Sequence, residues 1–456
     1  MPSAVEFLER NRERSLEQLK EFLRIPSVST KPERRDDVRR GAAFVADGLR
    51  EAGLPLVEVI ETAGHPIVYA EDLRADGPTL LVYGHYDVQP EEPVELWTSG
   101  PFDPTVRDGE LYARGAVDDK GQVWMHVKVL EAFLKAEGRL PCKVKVVIEG
   151  EEEVGGGHLT EFVEANRERL RARAVVISDS PMLARGVPAL CYGLRGLCYM
   201  EVHVRGAASD LHSGSFGGAV ANPAQALASI LAGLKDGRNR VAIPGFYDRV
   251  RPLSTMERQA LAELPFDEEA YRAQLDVPEL VGEEGFGTLE RVWARPTLEV
   301  NGMLSGFTGE GSKTVLPARA MAKVSMRLVP DQDPAEIARL FEARVAALKP
   351  RGVTVEVRHH HGGRPFLTDI ADPAMQAAAR ALERGFGKKP VLIREGGSVP
   401  VAVDFGTTLG LPVVLMGFGT PDENAHAPDE HLSLENFYLG MPTIAYFLEE
   451  FGRLPA

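Results

Sequence analysis

The sequence predicts an α/β fold in which a doubly wound sheet forms one domain and a smaller α+β domain is inserted into it. Three observations predict this fold. The 456 residues suffice for about two or three domains. Short, continuous apolar runs alternate with helical stretches, as in strands that helices cover on both faces. The middle of the chain instead alternates apolar with polar residues, which is typical of half-exposed antiparallel strands.

The first part of the chain predicts two helices and then the sheet. The apolar stripe from Val5 to Leu23 predicts a helix that Pro26 ends, and residues 40–52 predict a second. The apolar runs that predict buried strands are Thr79–Tyr83, Lys143–Ile148, Ala174–Ile177 and Pro412–Met416. The helices predicted between the first three runs are Gln122–Ala136 and Leu159–Leu170.

The insertion is predicted from the change of pattern after residue 191. Alternating strands are expected at Met200–Val204, Met321–Leu328 and Val353–Val357, with an amphipathic helix at Pro334–Leu348. Residues 244–297 have no clear pattern. The Gly-rich segments YGLRG and HHHGGRP are predicted hinges. The expected organisation is a main domain built from residues 1–191 and 363–456, interrupted by an inserted domain of residues 192–362.

Charge and composition argue against two classes of partner and indicate the cellular compartment. The chain has 67 acidic and 52 basic residues, and its net charge of −15 has the wrong sign for a nucleic-acid backbone. No apolar stretch approaches the roughly 20 residues that span a bilayer, and the first residues lack an apolar signal segment. Three cysteines, an odd number, are typical of reduced thiols. We therefore expect a cytoplasmic protein without a nucleic-acid or membrane partner.

Polar side chains follow the ends of the predicted strands. His85 and Asp87 follow the first strand, glutamates 151–153 the second, Asp179 the third, and His426 lies after the last. The carboxyl ends of the strands of an open α/β sheet form a common crevice, so these groups can converge. Imidazoles and carboxylates without cysteine suit zinc, manganese or cobalt.

Each of these residues also has an ordinary structural explanation. Asp118 and Asp119 precede an apolar helix, where they fit N-caps. Three successive acids are typical of a solvated loop, and Asp179 can begin a turn. Independent structural roles do not predict polar groups at successive strand ends, so their coincidence favours a metal site. The histidine run 359–361 lies outside this pattern and is predicted to be structural.

A set of motifs runs through nearly the whole chain. The motifs are GHYDVQP (84–90), RGAVDDKGQ (114–122), EGEEEVGG (149–156), ISDSP (177–181), YGLRGLCYMEV with DLHSG (192–214), RLVPDQ (327–332), REGGSVP (394–400) and ENAHAP (423–428). In this order they resemble the M20 family of binuclear metallopeptidases, and within it the carnosinase-like, cytosolic nonspecific dipeptidase branch.

The resemblance implies a dinuclear centre with two divalent metal ions per subunit. Zinc is expected, with manganese or cobalt as alternatives. One ion would have His85 and Asp179 as ligands, the other would have Glu153 and His426, and Asp118 would bridge both. A shared carboxylate reduces the repulsion between two closely spaced cations.

The resemblance also assigns roles around the two ions. Glu152 would be the general base, which takes a proton from the activated water and delivers it to the departing amine. Asp87 would accept the imidazole N–H of His85 and hold its tautomer. A cis peptide bond is implied between Asp118 and Asp119.

The inserted domain would act as a lid that supplies substrate contacts and the interface of a homodimer. His212 resembles the family's lid histidine, which stabilises the tetrahedral oxyanion. Arg327 and Ser398 match positions that hold the carboxylate end of the substrate. Asn301 lies in a segment that lines the lid side, where related chains often carry histidine. Gly156 is a second departure, since a serine is common there.

The predicted function is hydrolysis of the amide bond of dipeptides or short peptides. An N-acyl-amino-acid deacylase or a carboxypeptidase of the same family is the alternative, because specificity depends on lid pockets. A remote alternative is a non-catalytic, metal-stabilised peptide-binding protein. Glu152 and the complete ligand set oppose that alternative.

Overall fold

Two units share the chain, and the second interrupts the first. The computed structural model describes residues 3–155, 157–396 and 400–455. Unit 1 comprises Met1–Tyr192, Thr368–Ile393 and Val401–Ala456, and unit 2 comprises Gly193–Leu367 and Arg394–Pro400. Every helix in the described part of the chain is too short or too polar to cross a membrane. The predicted α/β fold class is confirmed.

The strands and helices follow one another in mixed order along the chain. The strands are β1 (Leu56–Ile60), β2 (Ile67–Asp72), β3 (Thr79–His85), β4 (Thr105–Arg107), β5 (Glu110–Tyr112), β6 (Lys143–Glu149), β7 (Ala174–Ile177), β8 (Ala189–Leu194), β9 (Gly196–Arg205), β10 (Leu211–His212), β11 (Thr297–Ser305), β12 (Val315–Leu316), β13 (Arg319–Leu328), β14 (Thr354–Gly363), β15 (Phe366–Leu367), β16 (Val391–Glu395), β17 (Val413–Leu415) and β18 (His431–Ser433). The α-helices are α1 (Ala4–Arg10), α2 (Arg12–Leu23), α3 (Arg35–Ala52), α4 (Lys120–Ala136), α5 (His158–Ala165), α6 (Ser213–Phe216), α7 (Pro223–Ala232), α8 (Thr255–Ala262), α9 (Glu268–Gln274), α10 (Pro334–Leu348), α11 (Pro373–Phe386), α12 (Pro400–Thr408) and α13 (Leu434–Gly452).

The main sheet of unit 1 is mixed and has a parallel centre. Strands β1, β2, β6, β3, β7 and β17 lie side by side in that order, and β8 follows β17. The four strands β6, β3, β7 and β17 are parallel, whereas β2 pairs antiparallel with β6 and β1 pairs antiparallel with β2. His85 at the end of β3 pairs in register with Glu149 at the end of β6. The loops that leave β3, β6 and β7 therefore start at one edge of the sheet.

Helix α4 is the central helix of unit 1, because α1, α3 and α13 all pack against it. Its residues from Lys120 to Phe133 are buried. A Cβ atom at Gly121 would lie 2.0 Å from the carbonyl oxygen of Ala116, so only glycine fits in the first turn of the helix. The buried helix thus lies directly against the loop that carries Asp118.

Unit 2 contains a four-stranded antiparallel sheet in the order β11–β13–β9–β14. Alternate residues of β9, from Cys198 to Val204, are buried in a core with residues of α7 and α10. The intervening residues of β9 point to the opposite face. This burial of alternate residues explains the alternation of apolar and polar residues in this part of the sequence.

Some elements differ from the sequence prediction. The first predicted helix is two helices, separated at Asn11, whose side chain donates to the carbonyl of Phe7 and competes with the backbone. Helix α5 ends at Ala165, earlier than predicted. The unassigned residues 244–297 contain α8, α9 and a π-helical turn. The first five residues of the predicted hinge HHHGGRP are instead the end of β14, where a bulge interrupts the pairing.

Candidate metal centre

The residues predicted as metal ligands converge at one edge of the unit 1 sheet. His85, Asp118 and Asp179 form one group, and Asp118, Glu153 and His426 form another. Within each group the potential ligand atoms lie within 4.8 Å of one another. Asp118 belongs to both groups, so a single carboxylate connects the two.

Asp118 lies between the two histidines. Its Oδ1 is 3.1 Å from Nε2 of His85, and its Oδ2 is 2.7 Å from Nε2 of His426. A second carboxylate oxygen approaches each ring: Asp179 Oδ2 lies 3.7 Å from His85 Nε2, and Glu153 Oε2 lies 3.3 Å from His426 Nε2. Nε2 of each histidine therefore faces the carboxylate of Asp118, which both histidines share, and a second carboxylate that the other histidine does not contact.

The chemistry of this donor set fits two divalent cations. Burial and the charge of Asp118 raise the pKa of Asp179 to about 7. Contacts with Asp118 and Glu153 raise the pKa of His426 to about 10. These crowded groups retain protons when no other cation compensates the carboxylate charges. Two metal ions would replace those protons, and imidazole with carboxylate oxygen is a common ligand set for zinc.

The backbone around Asp118 has the predicted form, since the peptide bond between Asp118 and Asp119 is cis. Asp119 occupies the N-cap position of α4, but its side chain makes no capping hydrogen bond. Its Oδ2 instead accepts the backbone N–H of His85, at 3.3 Å. The carboxylate of Asp119 therefore faces the β3 loop rather than the helix.

Asp87 connects His85 to the glutamate turn. Nδ1 of His85 lies 3.1 Å from the backbone oxygen of Asp87 and 3.4 Å from its Oδ1, so both oxygens face the imidazole. The two carboxylate oxygens of Asp87 also accept the backbone N–H groups of Glu152 and Glu153. Both His85 and Asp87 are fully buried, so water does not compete for these contacts.

The three consecutive glutamates point to different partners. Glu151 Oε2 lies 2.8 Å from Nδ1 of His158, and Glu153 Oε2 accepts from Gln89 at 2.7 Å. Among the described residues, neither ligand group contains Glu152. Burial raises the pKa of Glu152 well above its usual range, and the charges of nearby carboxylates raise it further. An elevated pKa beside a ligand cluster is typical of a proton-transfer group.

His426 lies on a loop that a buried carboxylate closes. Glu423 accepts the backbone N–H groups of Thr420 and Ser433, both at 2.7 Å. His426 itself has a left-handed φ of 64°, which is uncommon for residues other than glycine. Its side chain is 54% exposed, although its Nε2 contacts Asp118 and Glu153.

The other predicted residues lie in unit 2 or outside the described residues. His212 is exposed, and its Nδ1 accepts the N–H of Gly214 at 3.0 Å. Arg327 is half-buried on β13, and burial lowers the pKa of its guanidinium. Asn301 is exposed at a bulge of β11. Ser398 and Gly156 lie outside the described residues.

The histidine run at 359–361 belongs to β14, in unit 2. His360 Nε2 lies 2.6 Å from Glu201 Oε2, and the ring of His361 stacks on Tyr199. Neither group of candidate metal ligands found among the described residues includes these histidines.

Sequence analysis missed the uncharged and basic residues that hold the ligand loops. Gln122 donates to the carbonyl of Val117 and accepts the N–H of Phe418, and so joins two loops. Arg114 and Glu430 form a buried ion pair with an Nη1–Oε2 distance of 2.6 Å. Both Gln122 and Arg114 lie inside the motif RGAVDDKGQ, where only the aspartates were considered. Their position beside those aspartates was the available signal.

The chain is similar in sequence to known metallopeptidases over nearly its whole length. The profile of Peptidase family M20/M25/M40 matches residues 81–450. Cys-Gly metallodipeptidase DUG1 of Candida albicans is 34% identical over 461 residues, covering 96% of this chain and 94% of the relative. Beta-Ala-His dipeptidase of Homo sapiens is 31% identical over 472 residues, covering 98% of this chain and 92% of the relative.

A solved structure supports the same relationship. The M20 family metallo-carboxypeptidase Sso-CP2 from Sulfolobus solfataricus has a TM-score of 0.85 and 33% sequence identity. The match covers 96% of this chain and 99% of that protein. Sequence and fold similarity extend over nearly the whole chain and confirm the predicted resemblance. The protein therefore belongs to Peptidase family M20/M25/M40.

Proposed function

We propose that the protein is a dipeptidase that uses two divalent metal ions to hydrolyse the amide bond of dipeptides or short peptides. The observation that carries this proposal is the position of Asp118, which contacts both histidines of the two ligand groups. Glu152 lies beside these groups and belongs to neither. The full-length relatives named as dipeptidases support the choice of substrate.

The bound ions would supply Lewis acidity that activates a water molecule and polarises the scissile carbonyl. Glu152 accepts one proton from the attacking water as the water oxygen forms a bond with the carbonyl carbon. The amide C–N bond then breaks, and Glu152 delivers that proton to the departing amine. Asp87 assists by holding the backbone of Glu152.

In unit 2, His212 would stabilise the oxyanion. Because its Nδ1 accepts the N–H of Gly214, the neutral ring carries its proton on Nε2. This nitrogen is then available to donate a hydrogen bond. Arg327 and Ser398 would hold the substrate carboxylate, with Asn301 beside the substrate. The half-buried guanidinium of Arg327 supports this assignment, because partial burial strengthens a charged contact.

Zinc is the metal that we propose for both positions, with manganese or cobalt able to replace it. The two histidines support zinc, because imidazole is a preferred zinc ligand. Metal analysis of the purified protein by mass spectrometry tests this assignment. Two equivalents of zinc are expected, and a different metal in both positions would contradict it.

We also propose a homodimer that forms through unit 2. Strand β11 is at the edge of its sheet and carries the exposed side chains of Val300, Met303 and Leu304. Edge strands with apolar side chains are favourable sites for association. A Leu304→Asp substitution is expected to shift the molar mass measured by light scattering from dimer to monomer.

A cytoplasmic location is the fourth part of the proposal. Cys142 and Cys198 are buried and form no disulfide bond, as expected for a protein in a reducing compartment. Fractionation of the cells that make the protein tests this location.

The alternative with a specific observation in its favour is a carboxypeptidase, since Sso-CP2 bears that name. Cleavage rates of four substrates distinguish the candidate activities. The substrates are a dipeptide, the same dipeptide with an acetylated amine, an N-acetylated amino acid and a tripeptide. A dipeptidase is expected to cleave the free dipeptide best. Preference for the acetylated dipeptide over both free peptides would indicate a carboxypeptidase, and preference for the N-acetylated amino acid would indicate a deacylase. Metal-dependent peptide binding without cleavage would indicate a binding protein.

A further inference from the structure

A buried ion pair lies behind the proposed metal ligands. The side chains of Arg114 and Glu430 are each 1% exposed, and Nη1 of Arg114 lies 2.6 Å from Oε2 of Glu430. A buried ion pair loses much of its Coulomb energy to desolvation, so on its own it is weak evidence for a stabilising role. The other partners of these two side chains indicate a different role.

The carboxylate of Glu430 organises the loop that carries Asp118. Oε2 accepts the backbone N–H of Gly115 at 3.0 Å, in addition to the guanidinium. Oε1 accepts the backbone N–H groups of Val117 and Asp118, both at 3.2 Å. The loop therefore curves around one carboxylate, and the backbone of Asp118 is bound to it directly.

The same pair reaches two more ligand loops. Nη2 of Arg114 donates to the carbonyl of Pro90 at 3.0 Å, at the end of the loop that begins with His85. Glu430 follows His426 by four residues on the loop that Glu423 closes. The pair thus connects the loops that carry His85, Asp118 and His426.

We propose that Arg114 and Glu430 are positioning residues, which hold the bridging carboxylate of Asp118 at the correct distance from His85 and His426. This inference rests on the proposed dinuclear metal centre. Groups that orient metal ligands typically change metal affinity or activity by about 10- to 100-fold when they are replaced. A similar loss of metal affinity is expected when this pair is changed.

The test is Glu430→Gln, which preserves the size of the side chain. The amide replaces one acceptor oxygen with an NH2 donor, so the N–H groups on one side of the carboxylate lose their acceptor. Metal-free protein is titrated with Co2+ in the presence of a competing chelator, and the visible Co2+ spectrum is recorded. The expected result is about 10- to 100-fold weaker binding of at least one ion and a changed spectrum, which reports ligand geometry.

Glu131→Gln is the matched control. Glu131 is also a buried glutamate of unit 1 with an arginine partner, Arg14, and a lysine partner, Lys128. Arg14 and Lys128 lie outside the loops that carry the proposed ligands. The Glu131→Gln variant is therefore expected to bind both ions with the affinity of the parent. Equal weakening in both variants would overturn the proposal, because the effect would then be general destabilisation.

Arg114→Lys provides a second variant if Glu430→Gln does not fold. Lysine keeps the positive charge but lacks the guanidinium fork that reaches Glu430 and Pro90 together. Reduced Co2+ affinity and an altered spectrum are again expected. Parent-like affinity and spectrum in the folded variants would overturn the positioning role. Failure of the parent protein to bind two ions would instead defeat the proposed function on which it rests.

Discussion

The carboxylate of Asp87 accepts the backbone N–H of Glu152, with an Oδ1–N distance of 3.3 Å. Its Oδ2 accepts the N–H of Glu153 at 3.2 Å. The proposed base and a proposed ligand thus depend on one buried side chain, which lies two residues after His85. An acidic turn that would otherwise be solvated is held against the end of the sheet.

Replacement of Asp87 by Asn should therefore reduce turnover while both ions remain bound. The amide keeps one acceptor but turns an NH2 donor toward the other backbone N–H, which displaces Glu152. We expect about a 10- to 100-fold lower kcat. Steady-state kinetics and metal analysis measure the two effects. Asp72→Asn is the control, since Asp72 is equally buried but pairs with Arg74. Unchanged kcat in Asp87→Asn would contradict this role.

The roles of base and ligand can be separated with two substitutions. Glu152→Gln should retain both ions and lower turnover by roughly 100-fold or more, which is the usual contribution of general acid–base catalysis. Asp118→Ala should lose at least one ion, because Asp118 belongs to both ligand groups. Metal content and kcat are measured for each variant. Metal loss in Glu152→Gln together with full occupancy in Asp118→Ala would reverse the assignment.

Removal of metal should abolish hydrolysis. Without the ions, water near neutral pH is not sufficiently acidic to supply the nucleophile. Dialysis against a chelator should reduce peptide cleavage to background, and Zn2+, Mn2+ or Co2+ should restore it. Mg2+ is a suitable comparison, because it binds imidazole poorly. Full activity after verified metal removal would disprove metal dependence.

His126 should make the stability of unit 1 depend on pH. Burial lowers the pKa of His126 to about 4, and its Nε2 lies 2.8 Å from the hydroxyl of Ser178. Between the unfolded pKa of about 6.5 and the folded value, the unfolded chain binds a proton that the folded chain excludes. Stability should therefore fall as pH decreases through this range. The loss is about 1.4 kcal/mol per pH unit from this group alone.

The measurement is urea unfolding of metal-free protein at pH 7.5 and pH 5.0. His126→Gln cannot take up this proton. As the pH falls from 7.5 to 5.0, the free energy of unfolding of this variant should therefore decrease by about 2 kcal/mol less than that of the parent. An identical pH dependence in variant and parent would show that His126 is not responsible.

Complementation tests the proposed dimer and the role of His212. If His212 of one subunit acts at the active site of its partner, Glu152→Gln and His212→Ala should each be inactive alone. A mixed dimer retains one site with intact Glu152 and a partner's intact histidine. Unfolding and refolding the two variants together should regenerate peptide cleavage. No recovery, with mixed dimers demonstrated by mass spectrometry, would mean that His212 acts within its own chain or has no catalytic role.

Sequence patterns were sufficient to predict the α/β class, the main buried strands and, together with the family resemblance, the five candidate ligands. Hydrophobic periodicity follows directly from local backbone geometry. The apolar runs of β3, β6 and β7 can therefore be recognised in the sequence. The five candidate ligands could be recognised because each follows a strand or precedes a helix, and because their motifs resemble those of one family.

How these candidate ligands are held depends on contacts between distant parts of the chain. Arg114 and Glu430 are separated by 316 residues, and Gln122 and Phe418 by 296, so no local pattern relates them. The break at Asn11 and the helices within residues 244–297 involve local contacts instead, namely the Asn11 bond to Phe7 and the side-chain caps Ser254 and Asp267, which hydrophobic periodicity does not encode. Buried polar groups must find partners wherever the fold provides them, and the partner of a polar side chain is therefore a property of the folded chain, not of its neighbours in sequence.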